Sequence, residues 1–367
     1  MKSVVALLFF CAVAYYGLMK KFGAMRVFLL ILLVLTLSIA PTFALLLHSK
    51  QDIVKERLFG GTSELEGVLV VWNVDTFEGG NTGKAVVLEK IARKFENQNK
   101  GLFVLVENLS VEQFLERKNG VLPDVISFGS GIFEQIEPIV EPNACVSEDL
   151  LLNVRNSVLE AETCKVFPWC MGGYFLMSSS EALEKSGRED VELAKHRFLL
   201  GYSKTIGKKT REVKSLTLGT SEFHSAFEAL ETLGEVDLHA IDDKYAVQTG
   251  YEAYVRFCGN NATVLFGSQR DLARLENKLS QGVISSLVAE FVEWTDLVQY
   301  AAVVRQDNAL RAKYASKFCQ FLQSKTVQEM MISFGLFPVC EVQSDEHSVV
   351  ADVTKEKLAF LKVKKLY

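Results

Sequence analysis

From Val68 to Val74 the chain is a nearly continuous apolar run, the pattern of a strand covered on both faces. A glycine-rich stretch ending in Gly83-Lys84 follows, and then Val86, Val87, Ile91 and Phe95 recur on one helical face, with Glu89, Lys90, Arg93 and Lys94 outside it. A second strand is expected over Leu102 to Glu107, an amphipathic helix over Val111 to Lys118, and a third strand over Val125 to Phe128 after the turn signal Leu122-Pro123-Asp124. This β-α-β-α-β alternation implies a parallel sheet with helices on its faces, whose ligand crevice lies at the carboxyl ends of the strands. Asn73 to Gly83, Asn108 to Ser110 and Gly129 to Gly131 leave those ends.

Beyond Thr163 the alternation is less regular. Val166 to Met177 is apolar with Gly172-Gly173 inside it, Ser180 to Leu199 reads as helix, and Lys204 to Arg211 as a basic loop. Ser221 to Leu233 and Val247 to Phe257 have helical spacing, Thr263 to Phe266 that of a short strand, and Ser268 to Leu279 that of a charged helix. Ala301 to Val304 is strand-like, and helices are expected over Ala309 to Leu322 and Thr326 to Ser333. The basic stretch Lys355 to Lys365 reads as a solvated helical face.

Two apolar stretches precede all of this, Val4 to Met19 and Val27 to Leu47, with Lys20, Lys21 and Arg26 between them. The second matches the roughly 20 residues that cross a hydrocarbon core. The cationic connection belongs on the cytoplasmic side, which sends everything after His48 outside. Thr42-Phe43-Ala44 also suits a signal peptidase, and a start at Met19 or Met25 would leave one hydrophobic segment; each version exports the bulk of the chain. Gln51 to Glu66 is a polar stalk.

Composition narrows the partners. Lys and Arg number 40 against 45 Asp and Glu, a formal net charge of -5, so no basic surface is available to hold a phosphate backbone and nucleic acid is not an expected partner. Of seven cysteines, six follow the hydrophobic segments (Cys145, Cys164, Cys170, Cys258, Cys319, Cys340); none stands in a CxxC pair or has zinc-site spacing, so they are expected to be structural, buried or paired. Hydrolase signatures are missing: there is no G-x-S-x-G and no H-E-x-x-H, and His48, His196, His224, His239 and His347 are scattered. No metal or cofactor is called for.

Gly83-Lys84 raises the question of a phosphate loop. That motif needs glycine and a hydroxyl where this chain has Glu78 and Ala85, so a carboxylate stands at the mouth and the magnesium ligand is missing. What survives is a loop of backbone amides bordered by Trp72, Asp75, Phe77 and Glu78, groups that can hydrogen-bond sugar hydroxyls or stack on a pyranose face. Trp72, Trp169 and Trp294 all lie at junctions between segments and suggest a shared cleft, although a buried Trp72 beneath a tight turn fits the pattern equally well.

The segments "VVWNVDTFEGG", "LPDVISFGSG", "FPWCMGGYFL", "TVLFGSQRDLARL", "WTDLVQYAAVV" and "SKFCQFLQSKTVQEMMISFGLFPV" occur in an order and spacing that resembles the extracellular solute-binding proteins of ABC transporters, the group with maltose-type and other sugar-binding members. The resemblance covers nearly all of Gly67 to Val339 and implies an α/β, two-lobed, type II periplasmic-binding-protein-like clamshell behind the N-terminal transmembrane or signal segments. It implies residues 1–50 as the membrane segment, 51–66 as the stalk, 67–167 with 295–334 as one lobe, and 171–293 with 339–367 as the other. The hinge would pass near Pro168 to Cys170, Trp294 and Leu336 to Val339.

By the same resemblance the ligand contacts are Trp72, Asp75, Glu78 and Gly79 from the first strand and loop, then Ser127 and Gly129. Trp169 and Tyr174 would follow at the crossing, Gln269, Arg270 and Asp271 in the second lobe, and Trp294 and Asp296 at the return. The implied function is non-enzymatic: an extracytoplasmic, membrane-tethered protein that hands a small solute, a mono- or oligosaccharide, to ABC permease subunits. A membrane-associated sensor with the same fold, a polyamine binder using cation–π contacts, and a glycosidase with paired carboxylates are the alternatives.

Overall fold

The computed structural model describes residues 65–142, 147–159, 164–185, 202–206, 208–220, 228–229, 247–259, 261–343 and 348–366. The hydrophobic segments Val4 to Met19 and Val27 to Leu47, the stalk, Cys11, Cys145 and all five histidines lie outside them. Among the described residues no helix is long and apolar enough to cross a membrane.

The opening alternation folds as its periodicity dictates: β1 (Gly67–Val74), α1 (Lys84–Gln98), β2 (Leu102–Leu109), α2 (Val111–Arg117) and β3 (Val125–Gly129), with β1 parallel to both β2 and β3. After α3 (Leu152–Val158) come β4 (Phe167–Met171) and β5 (Tyr174–Ser178), parted only by Gly172 and Gly173. Then follow α4 (Ser180–Lys185), β6 (Tyr202–Ile206), β7 (Lys209–Thr220), β8 (Val247–Thr249), α5 (Gly250–Cys258), β9 (Ala262–Ser268), α6 (Gln269–Ser280) and β10 (Val288–Val292). The chain continues through β11 (Trp294–Thr295), β12 (Val298–Val303), α7 (Ala309–Leu322), α8 (Lys325–Ser333), α9 (Val349–Glu356) and β13 (Lys362–Val363).

Two sheets organise these elements. The first has the order β2-β1-β3-β12-β4, with β12 antiparallel to both neighbours; the second runs β10-β5-β9-β7-β6, with β8 on β7. Period two in β1 decides its two faces. Leu69 and Val71 join α1, α7 and α8 in one buried cluster, while Trp72 and Val74 join another that continues to Phe175, Met177 and Leu265 of the second sheet. The apolar layer is therefore continuous between the sheets.

The chain passes between them at Gly172-Gly173 and again over residues 293–297. The first passage has no room for side chains: a Cβ on Gly173 would stand 2.7 Å from the rings of Phe291 and Phe337. Gly172 donates its N–H to Leu297 O at 2.7 Å and accepts from the Thr295 hydroxyl at 2.9 Å, which ties the two passages together.

Three expectations need correction. The stretch read as helical from Val247 opens as strand β8, paired with Leu218 to Thr220, and its helix starts only at Gly250. Lys204 to Arg211 is no loop but the β6–β7 hairpin, with Lys204 opposite Arg211 and Thr205 opposite Thr210; its charge masked a strand that a partner strand completes. The helix near the C-terminus ends at Glu356, and beyond it Leu358 and Leu361 are buried although the lysines between Lys355 and Lys365 are largely exposed. Lys362 donates its N–H to Glu293 O, so this segment docks on the second passage. The helix expected from Ser180 is described only over α4, and that expected from Ser221 only at 228–229. Five cysteines (Cys164, Cys170, Cys258, Cys319, Cys340) are free thiols, all buried except Cys258, which is half-buried.

Candidate functional site

A cleft of about 540 Å³ lies between the loop after β1 and the amino ends of two helices of the second sheet. Asp75, Thr76, Phe77, Glu78, Gly79, Thr82 and Gly83 form one wall. Gly219, Thr249, Gly250, Tyr251, Ser268, Arg270 and Asp271 form the other, and Tyr174 and Leu297 close it from the passages. Of the expected contacts, Asp75, Glu78, Gly79, Tyr174, Arg270 and Asp271 line this cleft.

The others are buried behind it. Trp72, Trp169 and Trp294 are 2%, 0% and 4% exposed, and none of them lines the cleft. Trp169 donates its indole N–H to Ser127 Oγ at 3.2 Å, Ser127 donates to Asn73 Oδ1 at 3.2 Å, and Gln299 Nε2 donates to both. Asn73 Nδ2 then donates to Asp75 Oδ1 at 3.1 Å, and Asn108 Nδ2 to Asp75 Oδ2 at 2.8 Å. Trp169 and Ser127 thus reach the cleft through a buried polar chain that orients Asp75. Gly129 ends β3 against Thr76, so close that a Cβ would meet the Thr76 hydroxyl. Asn108, near the end of β2, reaches the wall's carboxylate as well.

On the other side Tyr174 is held from three directions. Its hydroxyl donates to Asp296 Oδ1 at 2.7 Å, and its ring stacks on Phe266 at 5.1 Å and on Trp294 at 6.1 Å between centroids. Burial and the Asp296 carboxylate hold the phenol protonated, well above its ordinary range. Gln269 accepts from Gly173 N–H at 3.1 Å and donates to Glu78 O at 3.0 Å, so it pins the loop to the passage.

Lys84, the lysine that resembles a phosphate-loop residue, points into the protein. It is 1% exposed, donates to Phe77 O, lies 3.6 Å from the centre of the Phe77 ring and stands 3.9 Å from Asp75. Burial lowers its pKa to about 8, against the opposing pull of Asp75. The loop is therefore built around its own lysine. Gly80 completes it by packing where a Cβ would overlap the carbonyl oxygens of Phe334 and Gly335, and Asn81 N–H donates to Phe334 O at 2.7 Å.

Both helices of the second wall begin with reciprocal caps: Thr249 with Glu252 on α5, and Ser268 with Asp271 on α6. Asp271 is 2% exposed, and burial raises its pKa to about 6. Arg270 donates to Gly80 O, and Arg274 bridges Asp271 and Glu78. Four polar contacts from α6 thus span the cleft or brace the group that does. Tyr251 and Thr249 escaped the sequence reading, but the patterns Thr249-x-x-Glu252 and Ser268-x-x-Asp271 mark both helix starts and are legible in the chain. Among the described residues no group of His, Cys, Asp and Glu could hold a metal ion.

No protein-family model matches the chain, and no curated protein matches it. Solved structures do. The GacH receptor of Streptomyces glaucescens, solved unliganded and with acarbose, superposes with a TM-score of 0.58 at 15% identity, over 83% of this chain and 89% of that one. An ABC substrate-binding protein of Listeria monocytogenes in complex with cycloalternan gives 0.54 at 11% identity, covering 83% of this chain and 89% of its own. Thiaminase I of Bacillus thiaminolyticus also gives 0.54, at 10% identity over 82% and 95%, so the architecture carries an enzyme as well as binding proteins. The chain has the type II periplasmic-binding-protein fold of the sugar-binding ABC substrate-binding proteins.

Proposed function

We propose that this chain is an extracytoplasmic solute-binding protein that captures a small carbohydrate and delivers it to ABC permease subunits, tethered to the membrane by Val27 to Leu47. The observation that carries the reading is the cleft between the two sheets, lined from both sides by carboxylates, an arginine and small polar groups at the ends of strands and helices. Carboxylates and a guanidinium satisfy the donors and acceptors of sugar hydroxyls in pairs. The binding proteins of like fold bind acarbose and cycloalternan. Of the expected contacts, Asp75, Glu78, Gly79, Arg270 and Asp271 would touch the ligand, with Tyr174 at the back wall. Trp72, Ser127, Gly129, Trp169, Gln269, Trp294 and Asp296 would hold those groups in place. The passages at Gly172-Gly173 and 293–297 would be the hinge.

Intrinsic fluorescence tests this. Trp294 stacks on Tyr174, so a sugar reaching Tyr174 should perturb the emission saturably, and the change should vanish in Trp294→Phe while Trp72→Phe keeps it. Thermal stabilisation should accompany it, about 2.7 kcal/mol at a hundred times the dissociation constant. A folded chain that responds to no mono- or oligosaccharide would refute the proposal.

A further inference from the structure

We propose that Tyr251 is the ring-stacking platform of this cleft and the residue that selects ligands presenting an apolar sugar face; the inference rests on the carbohydrate reading above. The carboxylates and the other aromatic rings of the cleft are already engaged within the protein. Asp75 accepts from Asn73 and Asn108 and faces Lys84, while Glu78 and Asp271 share Arg274. Tyr174 is committed at both its hydroxyl and its ring. Phe77 is seated on Lys84 and packs against the second sheet's apolar cluster.

Tyr251 differs from all of these. It lines the cleft and is 65% exposed, and neither its hydroxyl nor its ring has a partner among the described residues. The helix explains why: Ala253 and Tyr254 of α5 turn to the core, while Tyr251 and, one turn on, Val255 stay outside it. The backbone beneath the ring is nonetheless fixed. Thr249 Oγ1 accepts from Glu252 N–H at 3.3 Å, the Glu252 carboxylate accepts from Thr249 N–H at 3.2 Å, and Gly219 approaches so closely that its Cβ would stand 3.1 Å from Gly250 Cα. An amphipathic ring with two side-chain torsions on a fixed helix start gives contact area for little lost entropy, the economy that makes tyrosine frequent in recognition surfaces. The three tryptophans are buried outside the cleft lining, so this tyrosine supplies the aromatic face that their positions promised.

Isothermal titration of the full chain with maltose, maltotriose, xylobiose and galactobiose decides the matter. For whichever sugar binds, Tyr251→Ala should weaken affinity by about tenfold or more, as loss of an aromatic anchor does. Tyr251→Phe and Tyr251→Trp should stay close to wild type, and the melting temperature of the unliganded protein should not move. Equal affinity in Tyr251→Ala, or a Tyr251→Phe loss as large as that of Ala, would overturn the inference and leave the carbohydrate reading standing. No binding of any of these sugars to the folded wild-type chain would overturn both.

Discussion

Arg274 of α6 donates to the carboxylate of Glu78 in the loop after β1, Nη2 to Oε1 3.0 Å, and its Nη1 donates to Asp271 at 3.1 Å. One guanidinium therefore joins the wall carried by the second sheet to the wall carried by the first. The two carboxylates are unequal, because the Glu78 side chain is 54% exposed and that of Asp271 only 3%. The exposed pair is worth at most about 1 kcal/mol, whereas a buried carboxylate that loses its cation is left with a larger penalty. Arg274→Ala should destabilise the protein clearly more than Glu78→Gln does in urea titrations, and only if this geometry holds should X-ray scattering show a larger radius of gyration for both. Equal losses would mean that Asp271 does not depend on Arg274.

Lys84 gives a prediction with a sign. Its folded pKa of about 8 lies below the ordinary 10.5, so between these values the unfolded chain holds a proton that the folded chain has released. Stability from this group is present above pH 10.5 and is lost as pH falls through about 8. At neutral pH the buried charge costs roughly 3 kcal/mol at 1.36 kcal/mol per pH unit, from which about 1 kcal/mol is deducted for the hydrogen bond to Phe77 O. Lys84→Met should therefore melt higher than wild type at neutral pH, with the gap closing by about pH 10.5, and should bind sugar more weakly because the loop loses its internal tie. A gap that is constant with pH would refute the assignment.

The part of the fold that was legible is the part with strict periodicity. β1 to β3 and their helices follow from apolar spacing, and α7 runs from Ala309 to Leu322 as its pattern requires. The β6–β7 hairpin was hidden because Lys204, Lys208, Lys209 and Arg211 carry no apolar alternation, and pairing with β9 and β8, distant in sequence, stabilises β7. In the site, position after a strand end pointed to Asp75 and Glu78, and the family resemblance to Arg270, but neither could distinguish a cleft residue from one behind the cleft. Trp72 and Trp169 stand at the right places and are buried, because a large ring at a sheet end gains most from burial. Tyr251 follows no apolar pattern; only the cap two residues before it betrays its place.

The passage between the sheets sets a packing limit. A methyl on Gly173 would lie 2.7 Å from both Phe291 and Phe337, whose rings are 5.5 Å apart between centroids and buried. Aromatic rings wedged in this way do not yield without moving the strand that carries them, and overpacking of this kind costs typically 1–3 kcal/mol. Gly173→Ala should lower the melting temperature by several degrees, and Phe291→Leu in the same chain should restore part of it. Independent, additive losses in the double variant would show that the two residues do not meet.

Asp271 ties the cleft to pH. Burial raises its pKa to about 6 from the ordinary 3.8, against the lowering effect of Arg274 and of the Ser268 N–H. A raised carboxylate contributes stability that is complete below 3.8 and is lost as pH rises through about 6, so the ionised form present at neutral pH is the disfavoured one. A group kept ionised at a cost in a ligand cleft is expected to act as a hydrogen-bond acceptor there. Asp271→Asn should gain as much as roughly 2 to 3 kcal/mol over wild type at neutral pH, less what Arg274 loses, and nothing at the acid end. Sugar affinity should fall in the wild type as pH is lowered through about 6 and should be flat in the Asn variant. Calorimetric titrations on either side of that midpoint measure both arms. An Asn variant that binds as tightly as wild type at neutral pH would show that the carboxylate shapes the loop and takes no hydroxyl of the ligand.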